Sequence, residues 1–345
     1  MIDCHVHLRD WEQSKKETIV HGIGLAAMAG FCAFFDMPNT KPALTSAELL
    51  VKRIQYGQTE SAKINSSIFY GVYAGLTADP QQIAEVVRFY TDHFPDCVGL
   101  KMFAGNSTGN MGIVSEAEQR AIYQELAKLQ YTGVLAVHCE KESLLHNELF
   151  IPQVPASHGL ARPPRAEVQS IADQIRFVDE TGFVGHLHIC HISTAEGLAL
   201  VQAAKQKGMN ISCGATAHHA LLNEDAYNKS GIFAKMNPPL RSETDQRAIF
   251  SALRDGSIDT VESDHAPHTR EDKLNGASGV PGFAGSLRLL KTLREAGADE
   301  RLLQKLYGGN VNRIFGTNFK IHLPDNKIIE KIFPIIVSGY EYNIF

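Results

Sequence analysis

The sequence predicts a (β/α)8 barrel, and three observations carry that expectation. Short β-rich runs alternate with stretches of helical periodicity about eight times, the number of units that closes such a barrel. These runs end in polar residues able to do chemistry, and barrel strand ends gather on one face. At 345 residues the chain also lies within the range of a barrel folded as one domain.

The first run, Ile2 to His7, holds the stretch on which the chain is organised, Asp3-Cys4-His5-Val6-His7-Leu8-Arg9-Asp10. Alternation along a strand points His5 and His7 the same way, as two nitrogen ligands for one cation. Borderline divalent metals such as zinc take neutral imidazole, with carboxylate or water at the remaining positions. An isolated H-x-H is more often two histidines on a strand edge; here Arg9, placed to meet an anion, and the residues downstream favour a site. Ile19, Ile23 and Ala27 mark the following helix.

Phe31 to Asp36 is the second predicted strand and runs into Met37-Pro38-Asn39-Thr40, after which Thr45 and Glu48 form a capping-box pattern. Ser67 to Tyr73 is the third, followed by a helix with Ile83, Val86, Val87 and Tyr90 on its apolar face. Cys97 to Phe103 carries Lys101, and Ser115 with Glu118 caps the next helix. Val134 to His138 leads into Cys139-Glu140. The connection from Lys141 to Arg165 contains four prolines and reads as a surface excursion.

His186 to His191 and Ile211 to Ala215 are the sixth and seventh strands, with Ser193 and Glu196 capping the helix between them. Past His218-His219 lies a loop holding Asn237. Ile258 to Ser263 is the eighth strand, ending at Asp264-His265-Ala266-Pro267-His268. The Gly-rich stretch Asn275 to Gly285 reads as a lid.

Composition narrows the function. Lys plus Arg total 33 against 38 Asp plus Glu, a formal charge of −5 without a basic stripe, so nucleic acid is not expected as a partner. Six scattered cysteines lack a C-x-x-C pair and suggest reduced, buried thiols. With no apolar run of membrane-spanning length and no room for a signal peptide before the first strand, a soluble cytoplasmic protein without membrane contact is expected.

Collected at strand ends are His5, His7, Lys101, His138, His191 and Asp264. Four imidazoles and one carboxylate suffice for two metals sharing a bridge, but the bridge needs an anion. A lysine beside two dications loses its proton, because like charge disfavours the ammonium. The free amine can add carbon dioxide and become a carbamate, a two-oxygen ligand. Asp264, which would otherwise read as a helix N-cap, would be both a ligand and the carrier of a proton from metal-activated water.

Taken in order, these motifs resemble the amidohydrolase superfamily and, within it, the dihydroorotase family. The likeness runs from Asp3–Asp10 through Met37-Pro38-Asn39-Thr40, Gly99-Leu100-Lys101, Val137-His138-Cys139-Glu140 and His191-Ile192-Ser193-Thr194 to Asp264–His268. It implies the TIM barrel of the metal-dependent hydrolases and two zinc ions: His5, His7 and Asp264 on one, His138 and His191 on the other, with carboxylated Lys101 bridging. It implies reversible hydrolysis of (S)-dihydroorotate to N-carbamoyl-L-aspartate, in pyrimidine synthesis. Arg9 and Asn39 would hold the substrate carboxylate, Asn237 and His268 would contact ring and carboxylate, and the backbone at Pro281-Gly282 would close the pocket. His265, His186, His188, His218 and His219 stay as structural or ligand-supporting histidines.

Many relatives begin with a small β-rich domain, which here would be absent or truncated. The expected division is a catalytic barrel over residues 1–319 and a strand-like tail over 320–345, the remnant of that domain. Its apolar face would favour a homo-oligomer. Two other readings share these motifs: another cyclic amidase, an allantoinase or hydantoinase, and a non-catalytic dihydroorotase-like subunit scaffolding aspartate transcarbamoylase. Arg9 and the complete ligand set favour the dihydroorotase reading.

Overall fold

The computed structural model describes residues 1–64, 67–107 and 109–345. Eight parallel strands run in sequence order: β1 (Ile2–Val6), β2 (Ala33–Asp36), β3 (Phe69–Gly75), β4 (Cys97–Ala104), β5 (Val134–Cys139), β6 (His186–Ile189), β7 (Ile211–Thr216) and β8 (Thr260–Glu262). A parallel bridge between Val6 and His265 brings the last strand end back to the first, and the His7 N–H donates to the His265 carbonyl at 2.8 Å. The (β/α)8 expectation therefore holds.

Long helices surround the strands: α1 (Ile19–Ala29), α2 (Ala47–Lys63), α3 (Pro80–His93), α4 (Glu116–Lys128), α5 (Pro164–Thr181), α6 (Ala195–Gln206), α7 (Glu243–Asp255) and α8 (Phe283–Glu295). Their starts follow local chemistry. Ser115 accepts from the Glu118 N–H, as its spacing predicts. Two other caps sit one residue later than expected. Ser46 rather than Thr45 caps α2, and Thr194 rather than Ser193 caps α6: both hydroxyls donate to Glu167, but Ser193 Oγ accepts from Arg241 Nε while Thr194 Oγ1 accepts the Gly197 N–H.

Residues 320–345 are not a strand-like tail. They contain α9 (Asn326–Ser338), capped by the Asp325 side chain accepting from the Ile328 N–H. Ile329, Ile332, Phe333 and Ile336 recur at three- and four-residue intervals and face the barrel's outer helices, with Ile329 and Ile336 fully buried. The isoleucine run has strand propensity, but an apolar stripe packed on α1 and α8 overrides it.

The lumen is divided in chemistry. Ile2, Cys4, Ala33, Phe35, Tyr73, Val98, Val134 and Ala136 form an apolar inner cluster with Val311 and Phe315 from the helix Asn310–Phe315. On the side of β6 to β8, alternation instead brings His186, His188, Ser212, Thr260 and Glu262 inward, all buried. The second cluster, between strands and helices, is apolar throughout.

Two connections differ from expectation. The excursion over 141–165 is exposed at Leu149, Ile151, Val154 and Leu160, but its inner edge reaches the catalytic face through His158 and Arg162. The Gly-rich stretch is a fixed wall rather than a lid: Val280 bridges to His265, the Gly279 N–H donates to the Lys235 carbonyl, and α8 starts within it.

Candidate active site

His5, His7, Arg9, Asn39, His138, His191, Asn237 and Asp264 line one pocket at the C-terminal mouth of the barrel, joined by Phe103, Ser107, Ala266, Ser278 and Gly279. They come from both ends of the sequence because every β-strand delivers its last residues to that face.

Ring nitrogens and carboxylate oxygens in this cluster face one another across 3.0 to 3.4 Å. Asn39 Oδ1 lies 2.7 Å from His7 Nδ1, so that nitrogen donates and His7 Nε2 turns its lone pair toward Asp264 Oδ1 at 3.0 Å. His5 Nδ1 faces Glu262 at 3.4 Å, and its Nε2 also meets Asp264 Oδ1 at 3.4 Å. His138 gives its Nε2 proton to Glu140 at 3.1 Å, leaving Nδ1 directed at His191 Nε2 at 3.2 Å. The buried His191 Nδ1 has no hydrogen-bond partner among the described residues. Neutral imidazoles steered by partners on their far nitrogens are the donor arrangement a divalent cation takes. His5, His7 and Asp264 alone bring three ligand atoms within 4.8 Å of one another.

Burial favours the neutral form of His5, His138 and His191. Burial, then the charge of Lys101, pushes His5 down to about 4 despite Glu262. Burial also lowers His138, and His191 falls further because His138, His5 and Lys101 crowd it. Burial alone would raise the Asp264 carboxyl, but the neighbouring His7 and His5 outweigh it and hold Asp264 ionised. His191 and Asp264 both adopt positive φ, 35° and 43°, a strained backbone for residues with side chains and one that clusters at working sites.

Lys101 lies beneath the pocket wall, fully buried, with Nζ 3.1 Å from Cys190 Sγ and 4.9 Å from the Phe103 ring centre. It makes no ion pair among the described residues. Arg9 is buried at the pocket edge; its Nε donates to the Pro267 carbonyl at 3.2 Å and its Nη2 reaches His268 Nε2 at 3.2 Å. His268 thus stands behind Arg9 rather than in the wall. Pro281 and Gly282 do not line the pocket: the Gly282 N–H donates to His265, and Ser278-Gly279 form that wall instead. The tight turn there points the earlier pair of residues inward.

Several contributors lie outside the expected set. Arg53 donates to the carbonyls of Leu8 and Arg9 at 2.7 and 2.9 Å while pairing with Asp36, which fixes the chain just past the H-x-H. His158 contacts Asn237 Oδ1 at 2.9 Å. Arg162 pairs with Glu140, the partner of His138. Glu262 has a sequence signal, the two-residue spacing to Asp264 that places both on one strand face. His158 and Arg53 have none, since each acts across the fold.

A barrel whose strand ends gather four histidines, an ionised aspartate and a buried lysine is that of the amidohydrolase superfamily. The chain belongs to the dihydro-orotase-like family, whose profile matches residues 1–197. It is 37% identical over 289 residues to a dihydroorotase of Brevibacillus brevis, covering 81% of this chain and 63% of that protein. A Lactobacillus acidophilus dihydroorotase is 33% identical over 298 residues, covering 85% and 66%. The chain thus spans slightly less than two thirds of these relatives' length. Among solved structures, an L-hydantoinase (dihydropyrimidinase) from Arthrobacter aurescens superposes with a TM-score of 0.80 at 22% identity, covering 91% of this chain and 70% of that one. A D-hydantoinase from Thermus sp. gives 0.75 at 23%, with 91% and 70% covered. At such identities these neighbours share the fold.

Proposed function

We propose that the chain hydrolyses a cyclic amide, and specifically the ring amide of (S)-dihydroorotate, reversibly giving N-carbamoyl-L-aspartate. The observation that carries this is Arg9: a buried guanidinium beside the ligand cluster, with no carboxylate partner among the described residues, suits a substrate anion. A guanidinium fork binds a carboxylate through charge-assisted hydrogen bonds. A cyclic amide lacking a carboxylate gains nothing from it.

The donor set suits two zinc ions: His5, His7 and Asp264 would hold one and His138 and His191 the other, and Lys101, once carboxylated, would supply an anionic ligand. Such ions lower the pKa of water from about 15.7 to about 7 and so supply a nucleophile at neutral pH. The chain's own residues do the rest. Arg9 and Asn39 would hold the carboxylate, and Asn237, steadied by His158, would meet the ring. Asp264, ionised and aimed into the pocket, takes a proton from the attacking water as its oxygen adds to the ring carbonyl carbon. It then returns that proton to the leaving nitrogen as the C–N bond breaks. Phe103 and Ala266 narrow the mouth against bulk water.

The test is zinc content of the purified protein alongside turnover of dihydroorotate, allantoin and hydantoin. Near-stoichiometric pairs of zinc with preference for dihydroorotate are expected. Turnover of hydantoin or allantoin without turnover of dihydroorotate would overturn the assignment.

A further inference from the structure

Below the pocket, one carboxylate touches both halves of the ligand cluster. Glu262 Oε2 accepts the backbone N–H of His191 at 2.9 Å and faces His5 Nδ1 at 3.4 Å, while Oε1 meets His188 Nε2 at 2.5 Å. The residue is fully buried. We propose that Glu262 is a positioning residue for the metal centre, holding the His5 ring and the His191 strand end in register, and that Gly214 is glycine to make room for it. This rests on the reading of His5 and His191 as ligands of separate ions.

The space is specific. A Cβ added to Gly214 on β7 would lie 2.0 Å from Glu262 Oε1 and 2.3 Å from its Cδ, so any other residue there displaces the carboxylate. The far side of the carboxylate is anchored as well. His188 Nδ1 lies 2.7 Å from Ser212 Oγ, which lies 2.7 Å from His186 Nε2, whose Nδ1 lies 2.7 Å from Asn210 Oδ1. His188 Nε2 donates to the Glu262 carboxylate, and Ser212 stands between the two histidine rings. Asn210 Nδ2 ends the series on the Gly185 carbonyl at 3.2 Å. The series anchors the ring that holds Glu262, so the carboxylate cannot swing without breaking a buried network. It also explains the polar half of the lumen, which is a scaffold running from the opposite mouth of the barrel to the underside of the site.

Among the described residues His5 Nδ1 makes no hydrogen bond and Glu262 is the carboxylate it faces at 3.4 Å, while the His191 N–H, on a residue of positive φ, is received by Glu262. Loss of the carboxylate therefore releases a ring on one ion and a backbone on the other. Partners behind metal-bound histidines are worth roughly 10–100-fold in metal affinity.

The experiment compares the wild type with Glu262→Gln, Glu262→Ala, Gly214→Ala and the double variant Gly214→Ala/Glu262→Ala. Zinc affinity is read by chelator competition, the visible spectrum of the cobalt-substituted protein reports ligand geometry, and kcat and KM are measured for dihydroorotate. We expect zinc affinity to fall roughly 10–100-fold in Glu262→Ala, a shifted cobalt spectrum already in the isosteric Glu262→Gln, and a loss in kcat with KM little changed. Gly214→Ala should mimic these losses and lower the melting temperature. Removing the carboxylate should relieve that clash, so the double variant should melt above Gly214→Ala. Wild-type zinc affinity and cobalt spectra in both Glu262 variants, or additive effects of the two substitutions on melting, would overturn the proposal. Because the zinc and cobalt readings need no substrate, a wild type that binds zinc but leaves dihydroorotate intact removes the proposed activity alone.

Discussion

Asn39 Oδ1 lies 2.7 Å from His7 Nδ1, and this contact decides which nitrogen of that ring faces Asp264. Asn39 therefore serves the ligand cluster as well as the pocket wall. Replacing it with alanine frees the ring to turn and should weaken zinc binding roughly 10–100-fold. Chelator competition measures this, and an unchanged affinity would show that the ring is held some other way.

Asp264→Asn keeps an oxygen near His5 and His7 but cannot take up a proton. Metal content should fall only partly, while kcat drops on the order of 10³-fold, the usual weight of a general base. Rates near those of the parent protein would refute the proton-carrier role.

Lys101 is sealed beneath the pocket without an ion-pair partner among the described residues. Lys101→Ala should lose metal in plain buffer and regain it when a short carboxylic acid is supplied to fill the space. Metal retained without the acid would count against a carbamate at this position.

Much of this was legible in the sequence. All eight strands lie where β-rich runs were bounded, and the H-x-H, His138, His191 and Asp264 meet as strand-end logic requires. What stayed hidden acts between distant elements. Arg241 donates to the Ser193 hydroxyl and leaves the cap to Thr194, and Arg53 reaches from α2 to the carbonyls of Leu8 and Arg9. The terminal isoleucines misled because β-branched residues suggest strand, whereas their three- and four-residue spacing decided for helix. Pro281-Gly282 fell just outside the pocket because turn geometry, invisible to composition, picks which residue of a Gly-rich run faces inward.

Arg53→Met should strongly destabilise the fold. It leaves the Asp36 carboxylate buried without its cation and removes two bonds to the chain after β1. Breaking one side of a buried pair costs about 3–5 kcal/mol, which chemical denaturation measures directly. A shift below about 1 kcal/mol would show that Tyr70, whose hydroxyl also reaches Asp36, suffices.

Glu17 gives the fold an acid-sensitive joint. Burial would raise its carboxyl, but His265, His21 and Tyr340 outweigh burial and hold it at about 2, against an ordinary 4.5. A depressed folded value means the unfolded chain binds more protons, so stability rises with pH across that interval. The contribution is complete above pH 4.5 and lost as pH falls toward 2. Glu17→Gln should flatten the acid side of the stability profile between those values, followed by denaturation at stepped pH. An unaltered profile would discard this account.

His7 and Asp264 meet across 257 positions of chain, whereas His138 and His191 are separated by 53. At synthesis rates of about 5–20 residues per second, the nascent polypeptide carries His5 and His7 for roughly 10–50 s before Asp264 is even made. Those two imidazoles wait for their carboxylate, while His138 and His191 can meet within a shorter stretch. On the proposed reading, the half of the centre that includes Asp264 assembles only once Val6 has joined His265, so a chain stalled before Asp264 would hold two imidazoles without the carboxylate that completes them.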